Sequence, residues 1–123
     1  MFIIYTLSYC GYSKKAIALL QNNNLEHEEV VCDNIRSETD NIASNYYTYP
    51  KIFFINKNKK IFIGGKDDFD KILNVYNKLH SVANPINKND LDLHLMNVKL
   101  HIDKNHILEM LLYMTKMIKK IET

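Results

Sequence analysis

Tryptophan is absent from this chain of 123 residues, glycine occurs three times, and proline and cysteine twice each. Two cysteines, Cys10 and Cys32, are too few for a disulfide framework or a four-cysteine zinc site. No apolar run approaches the ~20 residues of a membrane span. The opening Met1-Phe2-Ile3-Ile4-Tyr5 has neither the basic start nor the long apolar stretch of a secretory signal. No charge of one sign dominates either. The formal net charge is +2, with ten cations against nine anions in residues 1–80 and six against five in residues 81–123. That evenness argues against nucleic acid or an anionic membrane as the partner. The expectation is a soluble, cytoplasmic protein of a length that suits one compact domain. Glycine and proline are so scarce that each is expected to do a conformational job.

Apolar patterning sets out the elements. Phe2-Ile3-Ile4-Tyr5-Thr6 is rich in β-branched and aromatic residues and reads as a buried strand. A helix is expected from about Ser13 to Gln21, with Ala16, Ile17 and Leu20 on one side, ended by Asn22-Asn23-Asn24. Glu28 to Cys32 reads as a second strand, and Arg36 to Tyr46 as a short polar helix opened by Asp33 or Ser37. Lys51 to Ile55 and Lys60 to Ile63 flank Asn56-Lys57-Asn58-Lys59 as a hairpin. After Gly64-Gly65, Asp67 or Asp68 caps a helix to about His80, with Phe69, Ile72, Leu73, Tyr76 and Leu79 at helical spacing. The order β-α-β-α-β-β-α makes strands one and two parallel and strands three and four antiparallel.

Residues 1–82 are thus expected to form one domain and residues 83–123 a C-terminal extension. Asn84 to Asp90 reads as a linker. Leu91 to Leu95 and Val98 to Ile102 alternate strictly about Met96-Asn97, which predicts a β-hairpin. A last amphipathic helix follows to about Ile121, with Ile107, Met110, Leu111, Met114, Met117, Ile118 and Ile121 as its apolar stripe.

The chemistry concentrates in three short segments. Cys10-Gly11-Tyr12-Ser13 stands where a strand hands over to a helix, and a thiol there faces unpaired backbone N–H groups that stabilise its thiolate. Thr48-Tyr49-Pro50 directly precedes strand three, and a cis bond before Pro50 could hold a tight turn facing that thiol. It would leave the Tyr49 backbone open to an extended peptide. Gly64-Gly65 permits close backbone approach, and Asp67-Asp68 adds exposed amides and a carboxylate at a helix start. A thiolate, a peptide-pairing edge and a site for an anion with an amine are what a γ-glutamyl tripeptide requires. The plainer roles are a buried thiol, a loop proline and helix caps. Cys32 reads as a small buried apolar residue rather than a resolving thiol. His94 and His101 lack a third ligand, so no metal is expected there.

In order and spacing, Tyr5-Thr6, Cys10-Gly11-Tyr12-Ser13, Thr48-Tyr49-Pro50 and Ile63-Gly64-Gly65-Lys66-Asp67-Asp68-Phe69 resemble the glutaredoxins over residues 1–80. The resemblance implies an α/β thioredoxin fold, a four-stranded mixed sheet flanked by helices, and glutathione-dependent thiol–disulfide exchange. Carried over by position, Cys10 is the nucleophile, with Ser13 supporting it. Tyr12, Thr48, Tyr49, Pro50, Gly65, Lys66, Asp67 and Asp68 line the glutathione groove. In it Tyr49 pairs its backbone with the glutathione cysteine, Pro50 is the cis-proline and Asp68 meets the γ-glutamyl amine. Backbone N–H groups near Asp67 hold the γ-glutamyl carboxylate.

Two departures shape the expected mechanism. Ser13 stands where dithiol members have a second cysteine, which implies a monothiol cycle on glutathionylated protein thiols, with glutathione as co-substrate. Leu7 replaces the lysine that meets the glutathione glycine carboxylate, at a cost of about 1–3 kcal/mol for a lost charged hydrogen bond, and Lys51 is the candidate to substitute. The competing roles are a dimeric carrier of a [2Fe–2S] cluster ligated by Cys10 and glutathione, and a non-catalytic adaptor working through residues 83–123. The extension could cover the core of a monomer or build a dimer.

Overall fold

The computed structural model describes residues 1–33, 49–82, 88–95 and 102–122. Four strands, β1 (Phe2–Thr6), β2 (His27–Val31), β3 (Lys51–Asn56) and β4 (Lys59–Gly64), form one sheet in the order β2-β1-β3-β4. β1 pairs parallel with β2 and antiparallel with β3, and β3 and β4 make an antiparallel hairpin turned at Lys57, whose φ is +56°. The helices are α1 (Gly11–Asn22), α2 (Lys66–Val82), α3 (Lys88–Leu95) and α4 (Lys104–Glu122). A four-stranded mixed sheet of this order with flanking helices is the thioredoxin fold. The polar helix expected over 36–46 lies outside the described residues.

Why β1 is central follows from its composition. Alternate side chains of a strand point to opposite faces, and both faces of β1 are apolar. On one face Phe2 packs on Phe54 and edge-on against Phe69, each with ring centroids 5.4 Å apart. The register sets Phe2 opposite Phe54 and Ile4 opposite Ile52, all fully or almost fully buried. The other face gathers Tyr5, Leu7, Cys32, Tyr49 and Phe53, with Ile3, Val30, Phe62 and Cys10 packed against them. Burying a side chain of this size contributes about 1.5–3 kcal/mol, so a strand buried on both sides anchors the whole unit. β2, at one edge, is polar and half exposed.

One end of the sheet collects the ends of all four strands. Thr6 is level with Val31, Tyr5 with Lys51, and Ile52 with Gly64. Between Ile52 and Phe53 the β3–β4 pairing skips a residue, and this bulge turns the end of β4 just before the two glycines. The segments after β1 and β4 and before β3 therefore emerge together. At the far end of α1, Asn24 adopts a left-handed φ of +54°, and the Leu25 N–H returns to the Leu20 carbonyl at 2.9 Å. Asparagine is the residue type that tolerates that conformation.

The chain divides into two compact units, Met1–Phe69 and Asp70–Thr123. In the second, Ile107, Met110, Leu111 and Met114 of α4 are buried at helical spacing, as the apolar stripe predicts. The expected hairpin is corrected. Residues 91–95 are helical, inside α3, and residues 88–90 of the expected linker belong to the same helix. The partner segment over 98–101 lies outside the described residues. The physical reason is propensity. Leu91-Asp92-Leu93-His94-Leu95 alternates, but it has no β-branched or aromatic residue, and leucine favours helix. Helical geometry splits the leucines, so Leu91 is fully buried while Leu93 stays 69% exposed. Asp92 then pairs with Lys104 at 3.2 Å, tying α3 to the start of α4. Among the described residues, no helix is long and apolar enough to cross a membrane.

Candidate active site

β1 ends in a tight turn, Leu7-Ser8-Tyr9-Cys10, closed by the Cys10 N–H donating to the Leu7 carbonyl at 3.1 Å. Cys10 is the N-cap of α1, with extended φ −91° and ψ 118°. The helix thus starts two residues earlier than expected, which puts Tyr12 and Ser13 in its first turn. Ser13 is buried at 1% exposure, and its hydroxyl accepts the Leu7 N–H at 3.3 Å. Tyr12 is 60% exposed.

The Cys10 thiol is half-buried and donates to the Tyr49 carbonyl at 3.6 Å. The Tyr49–Pro50 peptide is cis, and both residues are buried. Two influences act on the sulfur in opposite directions. Partial burial pushes the thiol pKa up; the Ser13 N–H, the Ser13 hydroxyl and the Tyr12 N–H bring it down. The three donors together outweigh burial, and the thiol ends below its ordinary value. Ser13 can serve both sides, because a hydroxyl accepts from one partner while donating to another. α1 has no acidic residue in its first turn to compete for those N–H groups.

At the second segment, Gly64 has φ +130°, a region closed to side chains, and an added Cβ would lie 2.2 Å from the Asp68 carboxylate. With glycine there, Asp68 reaches back and accepts the Gly65 N–H at 3.1 Å. This is a capping-box contact, in which the third residue of a helix satisfies the N–H of its cap. Asp67 is largely exposed and stands 3.8 Å from the Lys66 ammonium, a surface pair of small energetic weight.

The structure brings Cys10 against Tyr49, the residue before cis-Pro50, and Gly65 against Asp68. Strand register carries both groups to the same sheet end. Thr48 lies outside the described residues. Lys51 is a correction: it is fully buried, with its ammonium 4.8 Å from the centre of the Tyr49 ring. A cation enclosed there does not face a carboxylate arriving from water. Cys32 is fully buried, its thiol donating to the Val30 carbonyl at 3.3 Å, as a small core residue should be. Among the described residues, no three His, Cys, Asp or Glu side chains converge as a metal site.

One pair escaped sequence reasoning. The Ser8 N–H donates to Asp33 Oδ1 at 2.9 Å, and the Ser8 hydroxyl donates to Asp33 Oδ2. A signal existed. Parallel strands that match Thr6 with Val31 carry Ser8 level with Asp33 if the count continues by two.

A thioredoxin-fold sheet with a cysteine capping the helix after β1, next to a cis-proline, defines the class of thiol–disulfide proteins built on this fold. Comparison with known proteins narrows it. The family model described as Glutaredoxin matches residues 2–58. Glutaredoxin 1 of Rickettsia bellii (strain RML369-C) is 38% identical over 74 residues, covering 54% of this chain and 69% of that protein. Glutaredoxin 1 of Rickettsia prowazekii (strain Madrid E) is 37% identical over 70 residues, covering 54% of this chain and 70% of that protein. The chain belongs to the glutaredoxin family, whose general activity is glutathione-dependent thiol oxidoreduction.

Proposed function

We propose that this glutaredoxin removes glutathione from protein thiols by a monothiol mechanism with Cys10 as the nucleophile. The Cys10 thiolate attacks the glutathione sulfur of a protein–glutathione disulfide. That S–S bond breaks, the protein sulfur leaves as a thiolate and takes a proton from water, and a Cys10–glutathione disulfide forms. A second glutathione thiolate attacks the glutathione sulfur of that disulfide, which frees Cys10 and releases oxidised glutathione. Electrons balance, since one disulfide is consumed and one is produced. Ser13 in place of a second cysteine supports this cycle over an internal disulfide across the motif.

In this reading the Tyr49 backbone pairs with the cysteine of glutathione, with Thr48 and Pro50 completing that edge and Tyr12 flanking it. N–H groups near Asp67 take the γ-glutamyl carboxylate, with Gly65 and Lys66 lining the groove beside them. Asp68 meets the amine. A carboxylate has about four acceptor positions, so the bond from Gly65 leaves capacity for an ammonium. The glycine carboxylate has neither a lysine at Leu7 nor, with Lys51 buried, a replacement from β3. A high KM for glutathione is expected. The same proposal takes residues 1–82 as the catalytic domain, residues 83–123 as an appendage and the protein as cytoplasmic.

The observation that carries the proposal is the half-buried Cys10 sulfur at the start of α1, beside Tyr49, where three donors favour its ionised form. The test is turnover of a glutathionylated peptide by reduced glutathione, run beside a visible absorption spectrum of protein purified without oxygen. Turnover lost in Cys10→Ala supports it. Activity that survives the substitution, or a brown glutathione-dependent dimer without turnover, contradicts it.

A further inference from the structure

From Ser8 to Tyr12 only Cys10 packs against the core, on the cluster around Tyr49. Ser8, Tyr9, Gly11 and Tyr12 are exposed, and no atom comes within 4 Å of the place a Cβ would occupy on Gly11. Hydrogen bonds at the ends of the turn therefore add to the fixing of Cys10. On the inner side, Leu7 is buried and its N–H is held by Ser13. On the outer side the restraint is Asp33, which receives both donors of Ser8. Asp33 is itself anchored, because it follows fully buried Cys32, whose N–H donates to the Thr6 carbonyl at 2.8 Å.

We infer that Asp33 is a positioning residue for Cys10: by clamping Ser8 it fixes the turn Leu7–Cys10, and so the placement of the sulfur against Tyr49 and the first N–H groups of α1. The inference rests on the reading of Cys10 as the nucleophile. Asp33 touches no reacting atom and acts through Ser8 and the turn. Its two bonds from Ser8 hold its carboxyl below the usual range, so the clamp is ionised and charge-assisted at neutral pH. Loosening it lets Cys10 drift from the donors that favour the thiolate.

The experiment uses the full chain and measures the rate of Cys10 alkylation by iodoacetamide against pH, with the adduct located by mass spectrometry. Asp33→Ala is expected to raise the alkylation midpoint and slow the reaction at neutral pH on the order of threefold to tenfold. Asp33→Asn is expected to move the profile most of the way back to wild type, since its amide oxygen accepts the Ser8 N–H and its NH2 donates to the Ser8 hydroxyl, without the charge assistance. Ser8→Ala, which keeps the N–H bond alone, is expected to fall between wild type and Asp33→Ala. If Asp33→Ala is too unstable to titrate, Ser8→Ala carries the test. A wild-type midpoint in whichever variant is titrated overturns the clamp, even if its Tm is lowered. Turnover of a glutathionylated peptide separates the two readings. A wild-type chain that alkylates with the low midpoint but turns nothing over sinks the proposed function and not the clamp. A variant that titrates and turns over as wild type sinks the clamp and not the function.

Discussion

Two strand-to-helix junctions at the same end of the sheet are built from the same parts and finished differently. β4 passes into α2 through Gly64-Gly65, and the helix start is closed by Asp68, with Asp67 beside it. β1 passes into α1 through Leu7-Ser8-Tyr9, and that helix start has no side-chain cap bond and no acid in its first turn. One junction ties its cap N–H back to its own helix, while the other has no such tie and turns its first N–H groups toward a sulfur. A good N-cap is worth about 1 kcal/mol of stability. Leaving Cys10 at that position gives up this contribution, and a thiol below its ordinary pKa is the return.

If that contrast holds, substitutions at the two junctions should separate cleanly into reactivity and stability. The largest effect is at the sulfur. Cys10→Ala should reduce glutathione-dependent turnover to background while leaving the far-ultraviolet circular dichroism unchanged. Next is Gly64→Ala, where a side chain would meet both an unfavourable φ and the Asp68 carboxylate. The backbone alone should cost about 1–3 kcal/mol in denaturant unfolding. Ser13→Ala tests the shared hydroxyl. It leaves the buried Leu7 N–H without its acceptor, at a cost of about 1–3 kcal/mol, and it should move the Cys10 alkylation midpoint upward. Smallest is Asp68→Ala, expected to cost about 1 kcal/mol as a lost cap and to raise the KM for glutathione. The alkylation midpoint of Cys10 should stay where it is. A shift there would break the contrast.

The pH dependence has a definite sign. Cys10 ionises more readily folded than unfolded, where a thiol has a pKa of about 8.5. Its ionisation therefore supports folding most fully above that value, and the support is lost as pH falls through the lower, folded-state value. Alkylation measured against pH should show the same lower midpoint.

The sheet was legible because its strands are marked locally. Phe2–Thr6 and Lys51–Asn56 are dense in β-branched and aromatic residues, and the scarcity of glycine made Gly64-Gly65 stand out as a boundary. The Cys10 junction and the cis peptide before Pro50 were readable from a strand end, a motif and a proline in the right order. Leu91–Leu95 misled because alternation is only half of a strand signal. Without β-branched residues the same string satisfies a helix that leaves Leu93 in water. Lys51 misled for a different reason: sequence places it beside the site but does not say that its ammonium lies over Tyr49, inside the molecule. The Ser8–Asp33 pair is a register effect, 25 residues apart in sequence, and appears only once β1 and β2 are aligned.

The most direct test of the account is the mass of the intact protein after brief exposure to a glutathionylated peptide, before and after excess reduced glutathione is added. A single glutathionyl adduct is expected, mapped to Cys10 and removed by the second step. An adduct on Cys32, no adduct, or one that glutathione cannot remove would contradict it.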